Sequence, residues 1–174
     1  MRKKILIVIT GSIAAYKALY LIRKLKEKGF FINVIMTNSA KKFITPLSVS
    51  SLSENRVYEN LFDLTEETEM GHIKLAKMHD LIIVMPASAN FIAKASNGYA
   101  DDLASTVLLA SKTKILFVPA MNINMLTNKI TQKNIKYLQN LGYDFIFGNE
   151  GNLACGDYGL GRMAEPEDIE KYLD

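Results

Sequence analysis

The chain has 174 residues, 49% hydrophobic and 22% charged, with a net charge of +3 at pH 7. That is ordinary globular composition, and it is long enough for one domain with a real core. The densest basic spots are only Arg2-Lys3-Lys4 and Lys41-Lys42, which excludes a nucleic-acid stripe. A single cysteine excludes an internal disulfide and fits a reducing cytoplasm, and the two histidines with that cysteine have no zinc spacing.

The basic start followed by the apolar run 5–9 imitates a signal peptide, but Gly11-Ser12 breaks the run and a helical pattern follows at once. No apolar run approaches the ~20 residues that span a bilayer. In chain order, segments 5–9, 32–36, 81–85, 115–118 and 144–147 are expected to be strands, and 14–28, 88–97, 103–111 and 131–141 helices. The first, third and fourth strands are nearly all apolar, as parallel strands buried on both faces are. Lysines close the first helix, and Gly29 ends it. The alternation predicts a single-domain α/β protein with a Rossmann-like or flavodoxin-like doubly wound parallel sheet. Ligands on such sheets sit beyond the carboxyl ends of the strands.

The first strand runs into Thr10-Gly11-Ser12-Ile13 and a helix start, where backbone N–H groups favour an anion. The later glycines of a dinucleotide fingerprint are missing. The second strand ends in Thr37-Asn38-Ser39, with no carboxylate to hold a ribose diol. Gly11, Ser12, Thr37 and Ser39 therefore suit one phosphate monoester, as in FMN, although turn residues and N-caps also look like this. Two later strands end alike, in Pro86-Ala87-Ser88-Ala89-Asn90 and Pro119-Ala120-Met121-Asn122. Small residues there leave room for a flat ligand, and each asparagine offers both donor and acceptor, while either alone reads as a helix cap. His72 follows Gly71 at an expected helix start, where the dipole favours a neutral ring. His79, at the end of that run, is expected to be an ordinary surface residue.

Five of the ten glycines fall between Gly148 and Gly161, around the only cysteine, Cys155. That density reads as a mobile flap over about 148–163, able to carry a thiol onto a substrate. An incidental surface thiol would look the same.

These motifs together resemble the homo-oligomeric flavin-containing cysteine decarboxylases, over essentially the whole chain. Gly11-Ser12-Ile13-Ala14-Ala15-Tyr16-Lys17 is similar to the family's flavin-phosphate loop. Pro86 to Asn90 is similar to its flavin-ring motif, although Phe91 stands where many members have threonine. Pro119-Ala120-Met121-Asn122-Ile123-Asn124-Met125 resembles the substrate-carboxylate motif, Gly71-His72-Ile73 the active-site histidine, and Ala154 to Met163 the substrate flap. The resemblance is strongest to members acting on phosphopantothenoylcysteine in coenzyme A biosynthesis.

The resemblance implies FMN as cofactor, with contacts from Gly11, Ser12, Ile13, Thr37, Ser39, Phe43, Ser88, Ala89, Asn90, Phe91, Ser105, Thr106 and Ala120. It implies substrate contacts from Asn122, Met125, Asn152, Leu153, Ala154, Arg162 and Met163, and no metal. It also implies oxidation of the substrate's cysteine end to a thioaldehyde, loss of CO₂ to leave an enethiolate, and reduction by the same flavin. His72 is then the base, Asn122 holds the carboxylate and Cys155 donates the last proton. Trimers, some assembled into dodecamers, are implied, with FMN near the subunit interface. Many relatives continue into a domain that joins cysteine to phosphopantothenate. This chain ends soon after the flap, so a separate ligase is expected upstream.

Other readings remain open: a peptidyl-cysteine decarboxylase of peptide-antibiotic maturation, a flavin prenyltransferase, a non-catalytic phosphatase regulator, or a cysteine hydrolase. Arg162-Met163 favours the coenzyme A branch over the peptide branch. Asn122 with Cys155 disfavours the prenyltransferase. The lack of an acidic extension and the presence of both His72 and Cys155 disfavour the regulator. No helix start follows Cys155 to activate it as a hydrolase nucleophile.

Overall fold

The computed structural model describes residues 3–62 and 71–173. Strands β1 (Lys4–Ile9), β2 (Phe31–Met36), β3 (Val57–Tyr58), β4 (Leu81–Ala87), β5 (Lys114–Pro119) and β6 (Asp144–Phe145) form one parallel sheet in the order β3-β2-β1-β4-β5-β6. The order reverses between β1 and β4, as in Rossmann sheets. The doubly wound expectation is met.

Side chains alternate across β1. Ile5, Ile7 and Ile9 enter one core, and Leu6 and Val8 enter the other; all five are fully buried. Each contributes about 1.5–3 kcal/mol by leaving water. The first core is covered by α1 (Tyr16–Glu27), α2 (Pro46–Ser53) and α8 (Pro166–Leu173). Helices α3 (Gly71–Lys77), α4 (Ala89–Asn97), α5 (Leu103–Ala110), α6 (Ile123–Thr127) and α7 (Lys129–Asn140) cover the second. Helix α1 buries Ala18, Leu21, Ile22 and Leu25, an i, i+3, i+4, i+7 stripe, and stops at Gly29 with φ +83°.

The differences from the sequence expectation are local. Residues 13–15 form a separate 3-10 turn before α1. Strand β6 is only two residues long, and β3, also two, was missed because its pattern is too short to register. Helix α2 was missed although Thr45 caps it and Pro46 opens it. Helices α6 and α8 were missed as well.

His79 is not a surface residue: it is 4% exposed. Its Nδ1–H donates to the Leu75 carbonyl at 2.8 Å, and its Nε2 accepts from the Asn33 amide at 3.2 Å. That arrangement needs the neutral ring. Burial pushes the pKa below its ordinary value; Lys4 adds to this, while the Leu75 carbonyl and Asp80 oppose it. The unfolded chain takes up this proton near pH ~6.5, whereas the folded chain resists until lower pH. In that window the unfolded state binds more protons, so the stability contribution is complete above about pH 6.5 and is lost as pH falls. The urea midpoint should therefore decline between about pH 7.5 and about pH 5.5, and His79→Gln should flatten that decline. An unaltered slope in the variant would show that His79 does not carry it.

Candidate active site

The carboxyl ends of β1 and β4 meet at the sheet's switch point, and Thr10 joins them. Its buried hydroxyl donates to the Pro86 carbonyl at 2.6 Å and accepts from the Ser88 N–H at 3.0 Å. The helices that follow diverge, α1 to one face and α4 to the other. The Ala120 N–H donates to the Ala87 carbonyl at 3.1 Å, which brings the two proline-ended loops side by side.

Beside this junction lies a polar cavity of about 180 Å³, lined by Thr10, Gly11, Thr37, Ser39, Ser88, Asn90, Phe91 and Lys94, among others. Gly11 is required there because a Cβ would fall 2.5 Å from the Ser39 Cβ. That close approach brings the ends of β1 and β2 together. Thr37 accepts from the Ala40 N–H, and the Ser39 side chain caps nothing. Ser12 accepts from the Ala14 N–H and so caps the first turn. The cavity's hydroxyls and backbone groups have the chemistry for one phosphate and a polyol.

Lys94 was missed by the sequence reading, although it lies one helical turn after Asn90 on the same face. Its ammonium bonds Asp101 at 2.7 and 2.8 Å and Asp102 at 3.1 Å. Burial alone would lower its pKa, but the two carboxylates outweigh this and hold it above the usual value. Asp102 also caps α5, with Ser105 reciprocating in a capping box; the Thr106 hydroxyl donates to the Asp102 carbonyl at 2.7 Å. Ser105 and Thr106 thus shape the wall rather than line the cavity. Phe43 is half-exposed, and neither it nor Ala89 lines either cavity.

A second, larger cleft of about 480 Å³ adjoins the first. Ser12, Ile13, Lys17, Ala120, Asn122, Asn152, Leu153, Ala154, Cys155, Arg162 and Met163 line it with their neighbours. Met125 is exposed outside it. The expected flap contains a short hairpin: β7 (Gly151–Asn152) pairs antiparallel with β8 (Tyr158–Gly159). Its glycine density reflects packing as well as freedom. At Gly161, φ is +122° and a Cβ would meet the Met121 carbonyl at 2.3 Å. The Met121 N–H donates to the Gly161 carbonyl at 3.1 Å, which holds the flap's base against the Asn122 loop.

Asn122 and Asn90 are not equivalent. Ser88 caps α4 and Asn90 lies within its first turn, whereas Asn122 itself caps α6, accepting from the Asn124 N–H at 2.8 Å. The Asn122 amide nitrogen donates to Asp157 Oδ2 at 2.9 Å and to Cys155 Sγ at 3.2 Å, and the thiol donates to the same carboxylate oxygen at 3.3 Å. Asp157 was missed, although it lies two residues beyond the cysteine. Lys17 lines the cleft almost buried, bonding the Met163 carbonyl at 3.2 Å and Glu165 at 2.7 Å. His72 opens α3 half-buried and lines neither cavity.

The Flavoprotein family model matches residues 1–174. The chain is 45% identical over 176 residues to the probable phosphopantothenoylcysteine decarboxylase of Streptococcus mutans, covering 100% of this chain and 98% of that protein. It is 48% identical over 167 residues to the coenzyme A biosynthesis bifunctional protein CoaBC of Haemophilus influenzae, covering 96% of this chain but 42% of that protein. The chain thus spans less than half of such bifunctional relatives. A solved cysteine-to-serine mutant of PPC decarboxylase, complexed with pantothenoylaminoethenethiol, superposes with a TM-score of 0.88 at 28% identity, covering 99% of this chain and 97% of that one. The FMN binding protein AtHal3 also gives 0.88, at 30% identity, over 99% and 95%. With one model and one full-length relative spanning the whole sequence, the chain belongs to the Flavoprotein family.

Proposed function

We propose that this chain is a carboxy-lyase that converts 4'-phosphopantothenoylcysteine to 4'-phosphopantetheine in coenzyme A biosynthesis, with FMN as cofactor. The carrying observation is the meeting of Asn122 and Cys155, 33 positions apart, at the rim of one cleft. Support comes from the full-length relative named for this activity.

Gly11, Ser12, Thr37, Ser39 and Ser88 would hold the cofactor's phosphate and polyol, with Asn90, Phe91 and Ala120 toward its ring. A flavin bound there supplies a reversible two-electron acceptor for the substrate's cysteine end. Asn122 presents amide N–H groups to the substrate carboxylate. His72 takes the proton released as the cysteine end is oxidised. Once CO₂ has left, the Cys155 S–H gives its proton to the enethiolate carbon. The hairpin over the cleft excludes water while these intermediates exist.

Helix α3 leads into β4 and so begins at the same end of the sheet as both cavities, yet His72 reaches neither within one chain. We therefore include a homo-oligomer, trimeric or a tetramer of trimers, in the proposal. The exposed Ile13, Tyr16, Tyr20 and Leu109 are apolar surface that an interface would cover. Among the described residues no helix is long and apolar enough to cross a membrane. A cytoplasmic location, with phosphopantothenate–cysteine ligation as the preceding reaction, completes the reading.

Denaturing the purified protein should release FMN, identified by chromatography. FAD, NAD or no cofactor after saturation with FMN would overturn the cofactor assignment. His72→Asn should keep FMN but lower turnover about a hundredfold or more, and should abolish anaerobic bleaching of the flavin by substrate. Wild-type turnover would remove His72 from the mechanism. Cys155→Ser should still release CO₂ once per site, then accumulate a product lacking the final pair of hydrogens, because a hydroxyl is a far weaker acid than a thiol of reference pKa ~8.5. Mass spectrometry after one anaerobic turnover reads this out. Saturated aminothiol formed at the normal rate would rule out Cys155 as the donor.

A further inference from the structure

The Asn122 amide nitrogen donates within the chain to two neighbouring acceptors, Asp157 Oδ2 and Cys155 Sγ. The amide carbonyl oxygen is used as well, by the Asn124 N–H. A substrate carboxylate that reaches the Asn122 amide nitrogen from the flap side meets these partners and competes with them. The partner of like chemistry is Asp157, whose own carboxylate already sits on the amide.

We propose that Asp157 is an internal competitor for the substrate's carboxylate and thereby sets the balance between substrate and product binding. It holds Asn122 when the site is empty, is expelled when a carboxylate-bearing ligand enters, and returns once that carboxylate has left as CO₂. This deepens the functional reading above and rests on Asn122 being the carboxylate-binding group.

Two physical arguments carry it. Two carboxylates on one amide repel each other, so the arrival of one drives off the other. The hairpin also lets the side chain swing without unfolding. Asp157 is exposed, while its backbone is held by the Leu153 N–H on the Asp157 carbonyl at 2.7 Å and by the β7–β8 pair. Because the Cys155 S–H donates to the same Asp157 oxygen, expulsion also frees the thiol from its acceptor. Substrate entry thus releases the proton donor, and the decarboxylated product, with nothing to set against Asp157, lets the original contacts re-form. Asp157 acts through Asn122 and Cys155 and is a positioning residue.

The test uses the FMN-loaded protein in a His72→Asn background, so that substrate binds without turning over. Calorimetry compares phosphopantothenoylcysteine with phosphopantetheine, which differ only in the carboxylate. Asp157→Asn replaces a charged acceptor with a weaker neutral one. It should tighten substrate binding about threefold to tenfold and leave product binding unchanged. Asp157→Ala, which removes the acceptor, should shift the ratio at least as far. A merely structural role would move both ligands together, and that result, or no change in either, overturns the proposal. Asn122→Ala separates the two failures. If it weakens substrate relative to product while Asp157→Asn does nothing, only the role of Asp157 falls. If it leaves that ratio unchanged, Asn122 does not hold the carboxylate, and the reading beneath falls with it.

Discussion

Everything at the site depends on β1 and β4 lying side by side while their helices leave on opposite faces. Parallel strands buried on both faces leave no other outlet for polar chemistry than their carboxyl ends. Thr10 makes that junction specific, because one buried hydroxyl serves the Pro86 carbonyl and the Ser88 N–H at once. Removing it would take a hydrogen bond from two backbone groups of the neighbouring loop, at about 0.5–1.5 kcal/mol each. The close approach of Gly11 to Ser39 adds the third wall. Two cavities of different character result, one polar and compact, the other larger and reaching the flap.

The flap is anchored at its returning end. Met121 and Gly161 share a backbone hydrogen bond, and Lys17 holds the Met163 carbonyl from the first turn of α1. Beyond Met163, Lys24 pairs with Glu167 and Glu170, and Lys28 pairs with Glu170, so α8 lies along α1. The Lys24–Glu167 pair is exposed and worth little, whereas Glu170 is largely covered and takes both Lys24 and Lys28. The apolar contacts of Ile169 and Leu173 with the first core do most of the holding. The nearly buried Lys17 differs, because losing Glu165 would strand its charge at the floor of the cleft. The hairpin tip, with Cys155 and Asp157, thus hangs from a firm base while its side chains stay exposed.

Much of this was legible in the sequence because it depends on local pattern. The apolar runs 5–9, 81–85 and 115–118 read as strands buried on both faces, and 14–28 as a helix closed by lysines and Gly29. The motifs that end β1, β4 and β5 marked the site's neighbourhood, and their order along the chain marked the family. Two-residue strands and helices as short as α6 escaped because a period needs more than one or two repeats to show.

Pattern could not say which side chains meet. By type and position His79 read as surface, yet the packing of α3 between Asn33 and the start of β4 buries it, a long-range consequence of sheet order. Asn90 and Asn122 read as a pair, but Ser88 takes the cap in one loop and Asn122 takes it in the other, which leaves only Asn122 aimed at the flap. The sequence by itself determined the longer strands and helices, the family and the residue types at the strand ends, since those follow from periodicity and local chemistry. Only the tertiary structure decided that Asp157 occupies Asn122 and that Lys94 and Lys17 enter the two cavities, because those contacts join segments whose spacing along the chain carries no periodic signal.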